Sequence, residues 1–255
     1  MFTYPKFDRD GKQVLCRTEG KTAAMLQNIT VYRLKAGETL ELMEPKMESA
    51  ILLVQGDISY FYDEKEERAS RAGFLKELPT CLHVCKGMDV AVEAHADSEI
   101  LVQSTENNRE FPAKLYRKED IDVTVSCEGK WENTFVRDVC TIFDYSNAPY
   151  SNMVIGEVYA RQGRWWSYIP HHHPQPEVYY YRFEREEGFG ACFIGDKAYT
   201  VKDGSVGMFE GGKTHAQVTA PGYPMYCVWM IRHLDKNPWE KTRIDDKRFE
   251  WILEN

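Results

Sequence analysis

Apolar and polar residues alternate along this chain in short blocks, and turn residues separate the blocks. Asn28-Ile29-Thr30-Val31-Tyr32-Arg33-Leu34 alternates and then meets Lys35-Ala36-Gly37-Glu38. Side chains on a strand point to opposite faces with a period of two, so this pattern predicts a half-buried strand followed by a turn. The apolar run of 50–57 closes at Gly56-Asp57, and 58–62 reads as one half of a hairpin after it. Further strands are predicted at 74–78, 82–85, 90–94 and 100–103. The second half repeats the layout, with strands at 153–159, 190–194, 197–201, 205–210 and 225–231 and turns at Arg161-Gln162-Gly163-Arg164, Asp203-Gly204 and Gly211-Gly212. No long amphipathic helix is evident, and short helical pieces are expected only near 117–120 and in the C-terminal tail. Many short strands with Gly-rich corners fit a sandwich or barrel. The chain is therefore expected to be all-β, built as two tandem jelly rolls covering 1–112 and 113–255.

Composition narrows the function classes. No apolar run approaches the ~20 residues of a membrane span, and no secretory signal is read at the N-terminus, so a cytoplasmic protein is expected. Seven cysteines, an odd number, argue against a disulfide framework. Cys81 and Cys85 have a spacing that zinc allows, but no second Cys/His pair follows, and they read as buried free thiols. The 32 Lys and Arg against 40 Asp and Glu give a formal charge of −8. That disfavours nucleic acid, which needs a basic face, but leaves room for an anionic substrate in a locally positive pocket. The acidic cluster 63–68 reads as a solvated hairpin loop.

The candidate chemistry lies in Ile169-Pro170-His171-His172-His173-Pro174-Gln175-Pro176-Glu177-Val178-Tyr179-Tyr180-Tyr181-Arg182. By strand parity His171, His173, Glu177, Tyr179 and Tyr181 share a face, and His172 and Arg182 point away. Two imidazoles and a carboxylate make most of a divalent-metal site. A fourth ligand is expected from another strand, with His215 the candidate. The set suits zinc, manganese, iron or nickel, and sequence leaves the choice open. Tyr179 and Tyr181 are candidate pocket residues. Arg182 is a candidate partner for a substrate carboxylate, although its parity is that of an exposed strand arginine. His83, His95 and His233 show no partner and read as structural or surface residues. The first half has no equivalent ligand set and is expected to serve as scaffold.

These residues make the chain resemble a cupin, and more closely the two-domain cupin (bicupin) family of 5-deoxy-glucuronate isomerases of myo-inositol breakdown. The likeness is carried by Glu157-Val158-Tyr159, by Gly163-Arg164-Trp165-Trp166-Ser167-Tyr168-Ile169-Pro170 with the three histidines, by Glu177 to Arg182, and by Gly188-Phe189, Pro221-Gly222-Tyr223 and Tyr226. Arg137-Asp138-Val139 and Arg71-Ala72-Gly73-Phe74 also match family positions. Related 4-deoxy-5-keto-uronate isomerases share the fold and the ligands, and the short Pro174-Gln175-Pro176 gap is closer to theirs. Tyr181 stands where the family commonly has His, and Trp229 and Ile231-Arg232-His233 replace its usual strand ending. The resemblance implies a metal-dependent aldose–ketose isomerase acting on a small anionic sugar acid. From charge and hydropathy no nucleic-acid or membrane partner is expected, and a homo-oligomer is expected with the first half as a contact. A cupin dioxygenase and a non-catalytic sugar-acid-binding protein are the other classes consistent with the ligand set.

Overall fold

The computed structural model describes residues 1–254. The chain is mostly β, as the alternation predicts, and its helical pieces are short 3-10 turns at Gly20–Met25, Lys118–Asp120, Trp131–Asn133 and Lys247–Glu254. No helix among the described residues is long and apolar enough to cross a membrane. All seven cysteines are free.

Internal contacts divide the chain into two units. One comprises Met1–Pro5, Asp122–Thr141 and the chain from Val154 onward, and the other comprises Lys6–Ile121 and Ile142–Met153. This differs from a single cut after residue 112, and strand pairing is the reason. Lys114–Tyr116 adds to the strand Thr80–Val84 and so stays with the preceding residues. Phe2–Thr3 pairs with Val206–Phe209 and so joins the later ones.

The unit built on Lys6–Ile121 contains a nine-stranded sheet. Its longest strand corrects the reading at 50–62. Met47–Tyr62 is one strand of 16 residues, not a strand and a separate hairpin arm. Its first part pairs with Thr80–Val84 and Ser98–Glu106, and its last part pairs with Lys65–Arg71 and Val90–Ala94. The change of partners falls at Gly56, whose φ is +121°, where a Cβ would lie 2.1 Å from Ser98 Oγ. Only glycine both adopts this backbone and fits the space, so Gly56 bends the strand without ending it. The cluster 63–68 is only partly a loop, because Asp63-Glu64 form the turn and Lys65–Arg71 is a strand. Residues 74–78 are not a strand. The buried Arg71 guanidinium takes the carbonyls of Phe74 and Glu77, which a ladder would otherwise need.

His83 and His95 each have a partner here. His83 Nε2 lies 2.9 Å from Glu48 Oε2, with Ser151, Asn107 and the Asn152 amide completing the hydrogen bonds of that buried carboxylate. His95 Nε2 bonds Ser59 Oγ at 2.8 Å.

The other unit holds two sheets. The first has seven strands in the order Phe2–Thr3, Val206–Phe209, Glu177–Arg182, Met225–Arg232, Met153–Ala160, Arg137–Phe143 and Asp122–Ser126. The second has five, in the order Lys197–Lys202, Phe189–Ile194, His215–Thr219, Trp165–His172 and Ile244–Asp245. They bury one apolar cluster. Val154, Val158, Tyr179, Tyr181, Phe209, Cys227 and Trp229 come from the first sheet, and Trp166, Cys192 and Val201 from the second. Burying each large side chain contributes roughly 1.5–3 kcal/mol. One end of this aromatic-rich layer carries the histidines.

Candidate active site

The histidines and the glutamate stand on different sheets. His171 is the last residue but one of the strand Trp165–His172, directly opposite His215 on the antiparallel strand His215–Thr219. Opposed positions on one sheet face bring side chains together, and the two imidazoles lie 4.7 Å apart between ring centres. The chain then leaves this sheet through His173, Pro174, Gln175 and Pro176. It re-enters on the seven-stranded sheet, where Glu177 opens the strand Glu177–Arg182. Parity along one continuous strand therefore does not explain why His171 and Glu177 meet. A turn between sheets brings them together, and the two prolines suit such a turn because they supply no ladder donors.

All four side chains are buried. Glu177 Oε2 lies 3.2 Å from His173 Nε2 and 3.3 Å from His215 Nε2. Burial pushes the Glu177 carboxyl up, but the hydrogen bonds and charges of His173 and His215 outweigh it and hold the pKa down at about 2. Burial, reinforced by His215 and Arg243, drives His171 well below the usual imidazole range, so this ring is neutral. Its Nδ1 faces the carbonyls of Ser167 and Ile169, both at 3.2 Å. A carbonyl only accepts, so Nδ1 carries the proton and Nε2 presents a lone pair. His215 Nδ1 is likewise 3.2 Å from the Lys213 carbonyl, so the Nε2 that faces the carboxylate carries a lone pair when the ring is neutral. His173 Nδ1 is buried with no hydrogen-bond partner.

Among the described residues no group of three or more His, Cys, Asp or Glu is already arranged as a metal-holding group. His173 and His215 both contact the Glu177 carboxylate, and the His171 ring packs against His215. The chemistry of the set nevertheless fits a divalent cation. Three imidazoles and a carboxylate gather at one place, and backbone carbonyls hold His171 and His215 from behind, as outer partners of metal-bound histidines do.

The cluster borders a cavity of about 200 Å³ reached by His171, His173, Glu177, Tyr179 and Ser167. Tyr179 Oη lies 3.2 Å from Ser167 Oγ and 3.4 Å from His215 Nε2. Burial, with the Glu177 charge beside it, raises the Tyr179 phenol well above its usual range. It therefore stays protonated and donates. Tyr181 is on the same face but deeper, packed against Trp166, Tyr179 and Phe2 rather than lining the cavity. Arg182 stands apart from the other candidates. Its Nε bonds Asp203 Oδ1 at 2.7 Å and it does not line the cavity, because the pleat turns it to the other face. His172 lies outside the cluster, paired across the strand edge with Ile244.

A larger hollow of about 900 Å³ in the other unit surrounds the Asp63-Glu64 turn. Glu41, Asp63, Glu64, Glu66 and Asp89 line it against Lys65 alone, which would repel an anion.

Several residues of the cavity were not visible in the sequence as site residues. Trp229, from the seven-stranded sheet, forms part of the wall, and a Cβ on Gly156 would lie 2.4 Å from its Cζ2. Trp239, Lys241, Thr242 and Arg243 reach the cavity from the segment after the last long strand. His233 helps to hold this segment by accepting from the Trp239 amide at 2.9 Å. The departure of Trp229 from the family pattern was the one signal in the sequence for this wall.

The 5-deoxy-glucuronate isomerase of Bacillus licheniformis is 26% identical over 243 residues, covering 88% of this chain and 86% of that protein. Among solved structures, an IolB-like protein from Salmonella typhimurium superposes with a TM-score of 0.81 at 22% identity, covering 89% and 90% of the two chains. A cupin 2 conserved barrel domain protein from Leptotrichia buccalis gives 0.50 at 14% identity, covering 81% and 83%. These structural likenesses establish a cupin-like β fold. The KduI/IolB family model matches residues 2–252, so the chain belongs to the KduI/IolB family.

Proposed function

We propose that this protein is an aldose–ketose isomerase of a deoxy uronic acid, with 5-deoxy-glucuronate the preferred substrate. His171, His173, Glu177 and His215 would hold a divalent metal. The observation that carries the reading is the buried cluster itself, in which three imidazoles gather round a carboxylate at the wall of a cavity sized for a small metabolite. The named activity of the relatives agrees with it. We further assign each half a jelly-roll barrel, with the metal set only in the later one, and a homo-oligomeric assembly.

When bound, the metal would polarise a carbonyl and the neighbouring hydroxyl oxygen, which makes the intervening C–H more acidic. The side chains supply the rest. Ile169 and Ser167 carbonyls orient His171, and Lys213 orients His215. Tyr179 Oη, which stays protonated, and Ser167 Oγ form a hydroxyl pair at the cavity wall, suited to donating hydrogen bonds to substrate oxygens as charge develops on them. Trp166, Trp229 and Trp239 exclude water from the site.

The test is an NMR assay of the metal-replete protein on 5-deoxy-glucuronate and on 4-deoxy-5-keto-uronate. Conversion of the first is expected. Conversion of the second alone would reassign the substrate, and conversion of neither would defeat the isomerase reading. Independently, His171→Ala and His215→Ala should each strongly reduce bound metal by elemental analysis, and unchanged stoichiometry in both would overturn the ligand assignment.

A further inference from the structure

The cavity beside the histidine cluster is lined by three basic side chains, Arg137, Lys241 and Arg243, against one carboxylate, Glu177. Before any charge on the imidazoles is counted, that is an excess of two positive charges, or one if Asp245 behind Arg243 is included. The whole chain carries −8. Like charges gathered around one cavity repel each other, and an anion held between them would offset that repulsion.

The two guanidiniums are only partly used by the protein. Arg137 directs Nη1 to Cys127 Sγ at 3.2 Å and to the Phe135 carbonyl at 3.1 Å. Arg243 directs Nε to Asp245 Oδ1 at 2.5 Å and Nη2 to the Ile169 carbonyl at 2.7 Å. A guanidinium has five N–H donors. Nε and Nη2 of Arg137 and Nη1 of Arg243 have no acceptor among the described residues. Burial lowers the proton affinity of Arg243 and the Arg137 charge lowers it further, although Asp245 opposes both. Both cations line the same cavity.

We infer that Arg137 and Arg243 form the carboxylate-binding end of the cavity, so that the substrate is held as an extended anion with its carbonyl end at His171, His173 and Glu177. This rests on the isomerase reading and gives the anion-binding role to these two residues instead of Arg182. Arg243 has a second task. Its Nη2 and His171 Nδ1 share the Ile169 carbonyl. Arg243 is therefore also a positioning residue for His171.

Calorimetric binding by the metal-supplemented protein tests this. The probes are the deoxy uronate with its aldehyde reduced to an alcohol, which cannot isomerise, and the primary amide of the same compound. Wild type should bind the acid at least tenfold more tightly than the amide. Arg243→Met and Arg137→Met should each weaken the acid tenfold or more and leave the amide nearly unchanged, and Arg243→Lys should restore part of the loss. Rising salt should weaken the acid alone. Wild-type affinity for the acid in both Met variants would overturn the inference, and so would equal weakening of acid and amide. Arginine-dependent binding of the acid without turnover of either uronate would support the anion site and remove the isomerase reading. Turnover with KM unchanged in both variants would do the reverse.

Discussion

Gly156→Ala tests the packing that shapes the cavity wall. Gly156 lies on the strand Met153–Ala160, between Met225–Arg232, which bears Trp229, and Arg137–Phe143. A Cβ there would stand 2.4 Å from Trp229 Cζ2 and 2.5 Å from the Cys140 carbonyl oxygen. Ordinary carbon contacts are ~3.5–4.0 Å, so both neighbours must yield by roughly 1 Å. The carbonyl belongs to an adjacent strand and can retreat only by spreading the sheet. The indole is 6% exposed and packed against Trp239 at 5.7 Å, so it can move only at the expense of that contact or of the cavity. Overpacking of this kind costs about 1–3 kcal/mol, and the involvement of backbone argues for the upper half of that range. At roughly 2–4 °C per kcal/mol for a chain of this size, the melting temperature should fall by ~4–12 °C. The decisive measurement is a double-mutant cycle with Trp229→Leu, read by thermal and urea unfolding. The alanine should cost about 1 kcal/mol less when the indole is gone. A penalty equal in both backgrounds to within ~0.5 kcal/mol would mean that Gly156 does not make room for Trp229. In the single variant KM should rise, because a displaced indole narrows the cavity.

Other predictions concern the charged and hydroxyl groups. Glu177 is held at about 2, below the ~4.3 of an unfolded chain. The stability it contributes is present above the unfolded value and is lost as pH falls from ~4.5 toward 2. In metal-free Glu177→Gln the acid limb of the stability curve should flatten by roughly 2–3 kcal/mol, and an unchanged limb would refute the His173–Glu177–His215 pairing. Tyr179→Phe should lower kcat roughly 10²-fold with metal content and melting temperature nearly kept, and wild-type turnover would exclude the hydroxyl from stabilising charge on the substrate oxygens. Arg182→Ala should cost about 1–3 kcal/mol through the lost Asp203 bond while kcat stays at wild type, so a large fall in kcat at full metal content would return Arg182 to the catalytic candidates.

The strand content and the candidate ligands were legible because they are local properties. The strand Asn28–Leu34 coincides with its alternating segment, and short helical turns occur near 118–120 and 247–254 as expected. The misread segments involve a partner distant in sequence or a backbone bend. Residues 74–78 have strand composition, but Arg71 removes their carbonyls from any ladder. Gly56 looked like a terminator and proved a bend. The strand Met47–Tyr62 continues through it because its two ends pair with different neighbours.

The site divides in the same way. His171, His173 and Glu177 are close in sequence, and His215 was the one distant histidine set just after a glycine turn, so their chemistry could be named from residue types and spacing. Sequence alone determined that this is a β protein with a clustered imidazole–carboxylate set, because alternation and donor identity are carried by each short stretch independently. Tertiary structure decided how the set is assembled, from two sheets joined by a proline turn. It also decided which charged side chains reach the cavity. Arg182, beside the ligands in sequence, is turned away by the pleat, while Arg137 and Arg243, distant on either side, are brought in. Strand pairing and sheet packing couple residues far apart in the chain, and no local pattern records which distant side chain will fill a given space.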